Sequence, residues 1–332
     1  MRRSLLADWT ADDFGTLERG VLLAPHRLVE TGLFDDDRLI EIIDNHPDAD
    51  LTISTMGHDS NTFEWREGDR NGVSGVDLLD LVRKGRLWIS CRRMMRNHPE
   101  YRRLVDQLFD ELKTHAPGFR PDDRSANLLI SSPKALVHYH IDTPVNMLWH
   151  LRGRKRVWVY PHFDHRFVSQ QVVELVCAGD LAEDVPYDPE FDRYALVFDV
   201  EPGQMLTWPQ VAPHRVTNIE GLNVSLSTEH RNRRSVRRVN VHVANRWLRT
   251  HVGRCHHSTD VARPTLHAKQ ALARCTRIAA RLCGRRKEEF IYPATFKVDL
   301  DSPTGYTLVD VPPDQVIAPH TKLELSGGTD RR

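Results

Sequence analysis

The stretch Val137-His138-Tyr139-His140-Ile141-Asp142, VHYHID, holds two overlapping metal-ligand patterns. His138 and His140 form an HxH pair and His140 and Asp142 an HxD pair. The period-two geometry of a strand turns all three side chains toward one face. Read by itself the hexapeptide leaves both pairs open. Either pair needs a third ligand from another strand, so the surrounding scaffold decides between them.

That scaffold is rich in strands. From Ala126 the sequence runs through ANLLISS, ALVHYHID, NMLWHLRG and KRVWVYP, then ALVFDVEPG, QMLTWP, HRVTNIEG and LNVSLSTEH. Eight short segments of this kind, broken by Pro and Gly, predict a barrel or double-sheet jelly roll. A less regular insertion, from about Pro161 to Arg193, has the length of a lid or substrate wall.

The flanks read differently. Helical periodicity marks DDRLIEIIDNH, GVDLLDLVRKG and HPEYRRLVDQLFDELKTH, where Tyr101, Leu104, Leu108 and Leu112 form one stripe; LTISTM and RLWISC are strands between them. Beyond Arg231 the pattern is helical again, and Leu266, Ala273, Ile278 and Leu282 are expected to line one apolar face. The chain therefore divides into a mixed α/β elaboration (1–125), a barrel core (126–230) and a basic helical region (231–332). The fold class is mainly β with helical additions.

Composition excludes several classes. Hydrophobic content of 40% with 28% charged residues is that of a folded globular protein rather than a disordered one. The formal net charge is zero, yet Arg231 to Lys287 is dominated by arginine and holds Asp260 as its only acid. Such a segment neutralises an acidic body, builds a homodimer through its helices, or meets nucleic acid, the last being the least favoured here. Cys91, Cys177, Cys255, Cys275 and Cys283 show no CxxC spacing, which points to a reducing cytoplasm without disulfides. HVGRCHH, with His251, Cys255, His256 and His257, lacks a second ligand pair at zinc spacing. No run of about 20 apolar residues is present, so no membrane span is expected.

The third ligand is offered by His214, in EPGQMLTWPQVAPHRVTN (201–218). The spacing of Gly203, Pro209, His214 and Asn218 resembles the second motif of the cupin superfamily, with Val211 where that motif has its second glycine. His138, His140 and Gly153 echo the first motif, with Asn146 in the place of its glutamate. The HxD register gives instead a two-histidine, one-carboxylate facial triad of His140, Asp142 and His214, which leaves sites on Fe(II) open for a co-substrate and dioxygen.

Asn146, Gly153, Lys155 and the closing Tyr160-Pro161 in NMLWHLRGRKRVWVYP resemble the JmjC branch of cupin-fold oxygenases, the group that includes protein asparaginyl hydroxylases. Counted from His140, the family's 2-oxoglutarate lysine falls on Lys155 and its asparagine on Asn146; counted from His138, the lysine position falls on Gly153. The resemblance implies a double-stranded β-helix, Fe(II) on His140, Asp142 and His214, and 2-oxoglutarate on Lys155, with Asn146 and Ser227 beside it. Val137 stands where relatives carry a hydroxyl. The implied activity is hydroxylation, or N-demethylation, of a protein side chain or a small molecule, with release of succinate and CO2. Two rivals remain open: a three-histidine metal cupin using His138, His140 and His214, and a non-catalytic module binding nucleic acid through its basic C-terminal region.

Overall fold

The structure is a computed structural model that describes residues 3–59, 61, 63–253, 258–260, 265–283 and 294–309. In the first part, β1 (Leu22–Pro25), α2 (Asp36–Asn45), β2 (Leu51–Met56), β3 (Trp65–Asp69), α3 (Gly75–Lys84), β4 (Leu87–Cys91) and α5 (Pro99–His115) follow a short α1 (Ala11–Thr16), with α4 (Met94–Asn97) before α5. The barrel strands are β5 (Asp123–Ser131), β6 (Leu136–His140), β7 (Val145–Val159), β8 (Leu196–Val200), β9 (Gln204–Thr207) and β10 (His214–Arg231). Helix α6 (Gln170–Ala178) lies between β7 and β8. Helices α7 (Arg233–Val252) and α8 (Thr265–Leu282) and strands β11 (Ala294–Val298) and β12 (Tyr306–Leu308) complete it.

The eight expected barrel segments condense into six strands. NMLWHLRG and KRVWVYP are one strand, β7, and HRVTNIEG and LNVSLSTEH are one strand, β10. Gly153 bends β7 instead of breaking it, because its φ of +75° is open to a residue without a Cβ. The two strands pair antiparallel from Val145↔His230 to Val159↔His214, with the register slipping between Asn218 and Ser225. One arm of this ladder is flanked by β9 and β5, and the other by β8 and β6. The bend thus folds one ladder into two facing sheets, the double-stranded β-helix expected of the sequence.

Period-two alternation then sorts the side chains. Met147, Trp149, Leu151, Val224 and Leu226 face outward and join the main core with α2, α3 and α5, where Tyr101, Leu104, Leu108 and Leu112 are all buried. Leu148, Val157, Val159, Val200, Leu206, Trp208 and Val216 fill the space between the two sheets. That interior is where Asn146, His150 and Lys155 point by parity, and Ser225 and Ser227, which stand opposite His150 and Leu148, point with them. Strands β4, β2 and β3 extend the first sheet beyond β5, and β11 and β12 continue it past β3.

The insertion between β7 and β8 packs against the back of β6. Its residues Phe167, Val172, Val173 and Val176 form a second core with Tyr139, Ile141 and Tyr160. Two arginines of the basic C-terminal region hold this insertion. Arg249 pairs with the fully buried Glu174 at 2.8 Å and Arg246 with Asp180 at 2.9 Å. Helix α8 departs from the expected face: Leu266 and Ala273 are buried, but Ile278 is 49% and Leu282 83% exposed. The helix packs on α7 along Leu266, Gln270, Ala273 and Arg277, a line that 3.6 residues per turn carries away from Ile278 and Leu282. Of HVGRCHH, His251 lies in the last turn of α7, while Cys255, His256 and His257 lie outside the described residues. No described helix is long and apolar enough to cross a membrane.

The bend makes a test of the fold. A Cβ on Gly153 would sit 2.7 Å from both the Leu222 carbonyl and the Asn223 side chain, on top of the unfavourable φ. Gly153→Ala is expected to cost about 2 kcal/mol or more, read from urea unfolding. A cost indistinguishable from zero would show that the corner is not fixed by this close approach.

Candidate metal centre

The site is built where β6 meets β10. His140 lies directly opposite His214 in the ladder, but the next pair is Val137↔Val216. Strand β6 therefore spends three steps, 137 to 140, where β10 spends two, 214 to 216: one extra residue, a β-bulge. The bulge resolves the opening stretch. It breaks the strict alternation that would put His138 beside His140, and it turns Val137 into the barrel interior, where that residue packs on the interior cluster. His138 is instead seated against Phe63, ring centroids 4.8 Å apart, and its Nε2 accepts from the Glu64 amide at 3.3 Å.

His140, Asp142 and His214 converge. Their ligand atoms lie within 4.8 Å of one another, and they are the one such group of three among the described residues. His214 Nε2 is 3.4 Å from Asp142 Oδ2, and His140 Nε2 is 3.9 Å from Asp142 Oδ1. Both imidazoles have the same tautomer imposed on them. His140 Nδ1 donates to the His138 carbonyl at 2.7 Å, and His214 Nδ1 to the Ala212 carbonyl at 3.0 Å. A carbonyl only accepts, so each Nδ1 carries the proton and each Nε2 presents a lone pair toward the carboxylate. Burial, and then the neighbouring His140, push His214 down to about 3, so its lone pair is available at neutral pH.

The carboxylate is held as well. Asn146 Nδ2 donates to Asp142 Oδ2 at 3.1 Å, and Ser227 Oγ donates to Asn146 Oδ1 at 3.1 Å. Two neutral imidazole nitrogens and one oriented carboxylate suit a divalent transition ion and leave part of an octahedral shell open. The donor set therefore fits Fe(II).

The bend gives the site its depth. Asn146, near one end of the β7–β10 ladder, touches Asp142, and His214 is the other end of the same ladder. Both ends thus meet at the metal ligands, while the corner lies at the far side of the interior. Lys155 is near that corner, 1% exposed, paired in register with Asn218. Its Nζ donates to Ser225 Oγ at 2.9 Å, and among the described residues no acid neutralises it. Two more polar atoms of this region, Trp208 Nε1 and Asn218 Oδ1, are buried without a partner. Trp208 lies against His214, ring centroids 4.2 Å apart.

The triad and Lys155 line one interior, as the sequence suggests, but Asn146 and Ser227, expected beside the co-substrate with Lys155, stand against the Asp142 carboxylate instead. The sequence reading missed Ser225 and His150, which do reach the lysine side. The available signal was parity: Ser225 and Ser227 are two apart on one strand and so share a face.

The family model of the cupin-like domain matches residues 78–234. Over those residues the chain is similar to a cupin-like domain. Among solved structures, Escherichia coli YcfD aligns at 17% identity and a TM-score of 0.48, covering 82% of this chain and 68% of that one. The same protein, described as a ribosomal oxygenase in complex with cobalt and 2-oxoglutarate, aligns at 16% and 0.46 over 83% and 68%. Its complex with cobalt and succinic acid aligns at 17% and 0.41 over 83% and 68%. No curated protein matches the chain.

Calorimetric titration with Co(II) tests the ligand assignment. Asp142→Ala is expected to abolish binding and Asn146→Ala to weaken it about tenfold, whereas His138→Ala leaves it unchanged. Retention in Asp142→Ala with loss in His138→Ala would return the site to the three-histidine alternative.

Proposed function

We propose that the protein is an Fe(II)- and 2-oxoglutarate-dependent oxygenase that hydroxylates, or N-demethylates, a protein side chain. The observation that carries this reading is the uncompensated ammonium of Lys155 inside the same interior as the triad. Burying an unpaired charge costs several kcal/mol, a cost that an anionic ligand offsets. A ligand that chelates an ion at one end and bears a carboxylate at the other matches both ends of the interior, and 2-oxoglutarate is such a molecule.

With Fe(II) held on the triad, dioxygen would be the oxidant and 2-oxoglutarate would supply two of its electrons, one oxygen atom entering the substrate C–H bond and the other succinate as CO2 leaves. The chain's own residues have narrower tasks. His140, Asp142 and His214 fix the ion and leave open positions. Asn146 and Ser227 hold the carboxylate's orientation. Lys155 seats the distal carboxylate at the bend, and Leu148, Val157, Leu206 and Val216 keep water from the path between them. Val137 offers the distal carboxylate no hydroxyl, so the lysine carries that end of the co-substrate.

Burial pushes Lys155 down to about 7. The carboxylate selects the ammonium form, so the sign is fixed: affinity for 2-oxoglutarate is full below this value and falls about tenfold per pH unit above it. Anaerobic titration of the Fe(II) protein with 2-oxoglutarate, followed by its visible charge-transfer band, checks the proposal. We expect the band in the wild type and a dissociation constant roughly a hundredfold higher in Lys155→Ala. Iron retained with no band in the wild type would overturn the reading.

A further inference from the structure

We infer that His150 and Ser225 are positioning residues for Lys155, joined in a one-way hydrogen-bond strut that ends on the carbonyl of Gly153. The inference rests on the reading of Lys155 as the seat of the co-substrate's distal carboxylate.

Three contacts define the strut. Lys155 Nζ is 2.9 Å from Ser225 Oγ, Ser225 Oγ is 3.0 Å from His150 Nδ1, and His150 Nε2 is 3.0 Å from the Gly153 carbonyl. His150, Lys155 and Ser225 are all buried. The proton positions follow from the ends. The carbonyl can only accept, so His150 Nε2 carries a proton. Burial and the adjacent Lys155 both disfavour a second proton on the ring, so Nδ1 is a lone pair. Ser225 must then donate its single proton to His150, which leaves its oxygen free only to accept from Lys155. Each link determines the next, and the hydroxyl cannot turn around to donate toward the ligand.

The far end is held on several sides. Gly153 sits at the crowded corner, and the His150 carbonyl is itself held by His26 Nε2 at 3.1 Å and the Gly203 amide at 2.9 Å. The ammonium is therefore aimed from a fixed point: one N–H is committed to Ser225 and two remain for an anion. An acceptor that cannot donate also favours the charged lysine over the neutral one.

The test uses the full-length Fe(II) protein and 2-oxoglutarate under anaerobic conditions. Ser225→Ala is expected to raise the dissociation constant about tenfold while Fe(II) affinity is unchanged. The pH above which affinity falls is expected to move lower, because the ammonium has lost its acceptor. Ser225→Thr, which keeps the hydroxyl, restores both. Nitrogen-15 spectra of His150 should show the neutral Nε2–H tautomer from pH 5 to 9, a readout that packing alone would not dictate. Unchanged affinity and pH break in Ser225→Ala, or an Nδ1–H or doubly protonated ring at His150, would overturn the strut. Failure of the wild type to bind 2-oxoglutarate would overturn the functional reading, and the strut's role with it; wild-type binding with unaffected variants would overturn the strut alone.

Discussion

The site depends on one continuous ladder. Strands β7 and β10 pair from Val145↔His230 to Val159↔His214; Asn146, Lys155, His214, Ser225 and Ser227 are on that ladder, and His140 and Asp142 lie against it. In a straight ladder the two ends would lie far apart, since each residue adds about 3.3 Å. The corner at Gly153 folds the ladder so that Asn146, close to one end, and His214, at the other, both reach Asp142. The metal ligands thus mark the place where the ladder closes on itself. Lys155, Ser225 and His150 occupy the bend. Depth in this site is sequence distance along a bent strand pair, which is why a one-residue slip would dismantle it.

Much of this was legible in the residues. The interval from His140 to Lys155 favoured one of two metal registers through its resemblance to the JmjC spacing, since the same count from His138 ends on Gly153. Amphipathic stripes such as Tyr101, Leu104, Leu108 and Leu112 in α5 were equally plain, since one helix face is wholly buried. Other features were hidden for identifiable reasons. Glycine was read as a break between strands, but Gly153 and Gly221, both at positive φ, bend the ladder and let it continue. The bulge between Val137 and His140 could not be seen either: it is a property of pairing with β10, and it overrides the alternation that put His138 among the ligands. Helix α8 shows the same limit in another form. Its apolar residues ring more of the helix than one stripe, and only contact with α7 decides that Leu266 and Ala273 are inside while Leu282 is not.

The division of polar groups within the interior has a common logic. Near the metal ligands the polar atoms are donors to a carboxylate, running from Ser227 through Asn146 to Asp142. Near the corner they run the other way, from Lys155 through Ser225 and His150 to a carbonyl. The first chain steadies an anion that belongs to the protein. The second steadies a buried cation. Between the two lie apolar side chains, Leu148, Val157, Leu206 and Val216, which offer no competing partner.

This asymmetry bears on Val137. The bulge turns that residue inward, so an apolar side chain faces the interior at this position. Burial meanwhile weakens the ammonium that must serve alone, pushing Lys155 down to about 7. A hydroxyl that donated to the ligand would add a second bond, but a hydroxyl that accepts from the lysine favours the charge on which the first bond depends. Ser225 is locked into accepting by His150. Val137 offers the interior no hydroxyl, and Ser225 is the group that accepts from the buried Lys155.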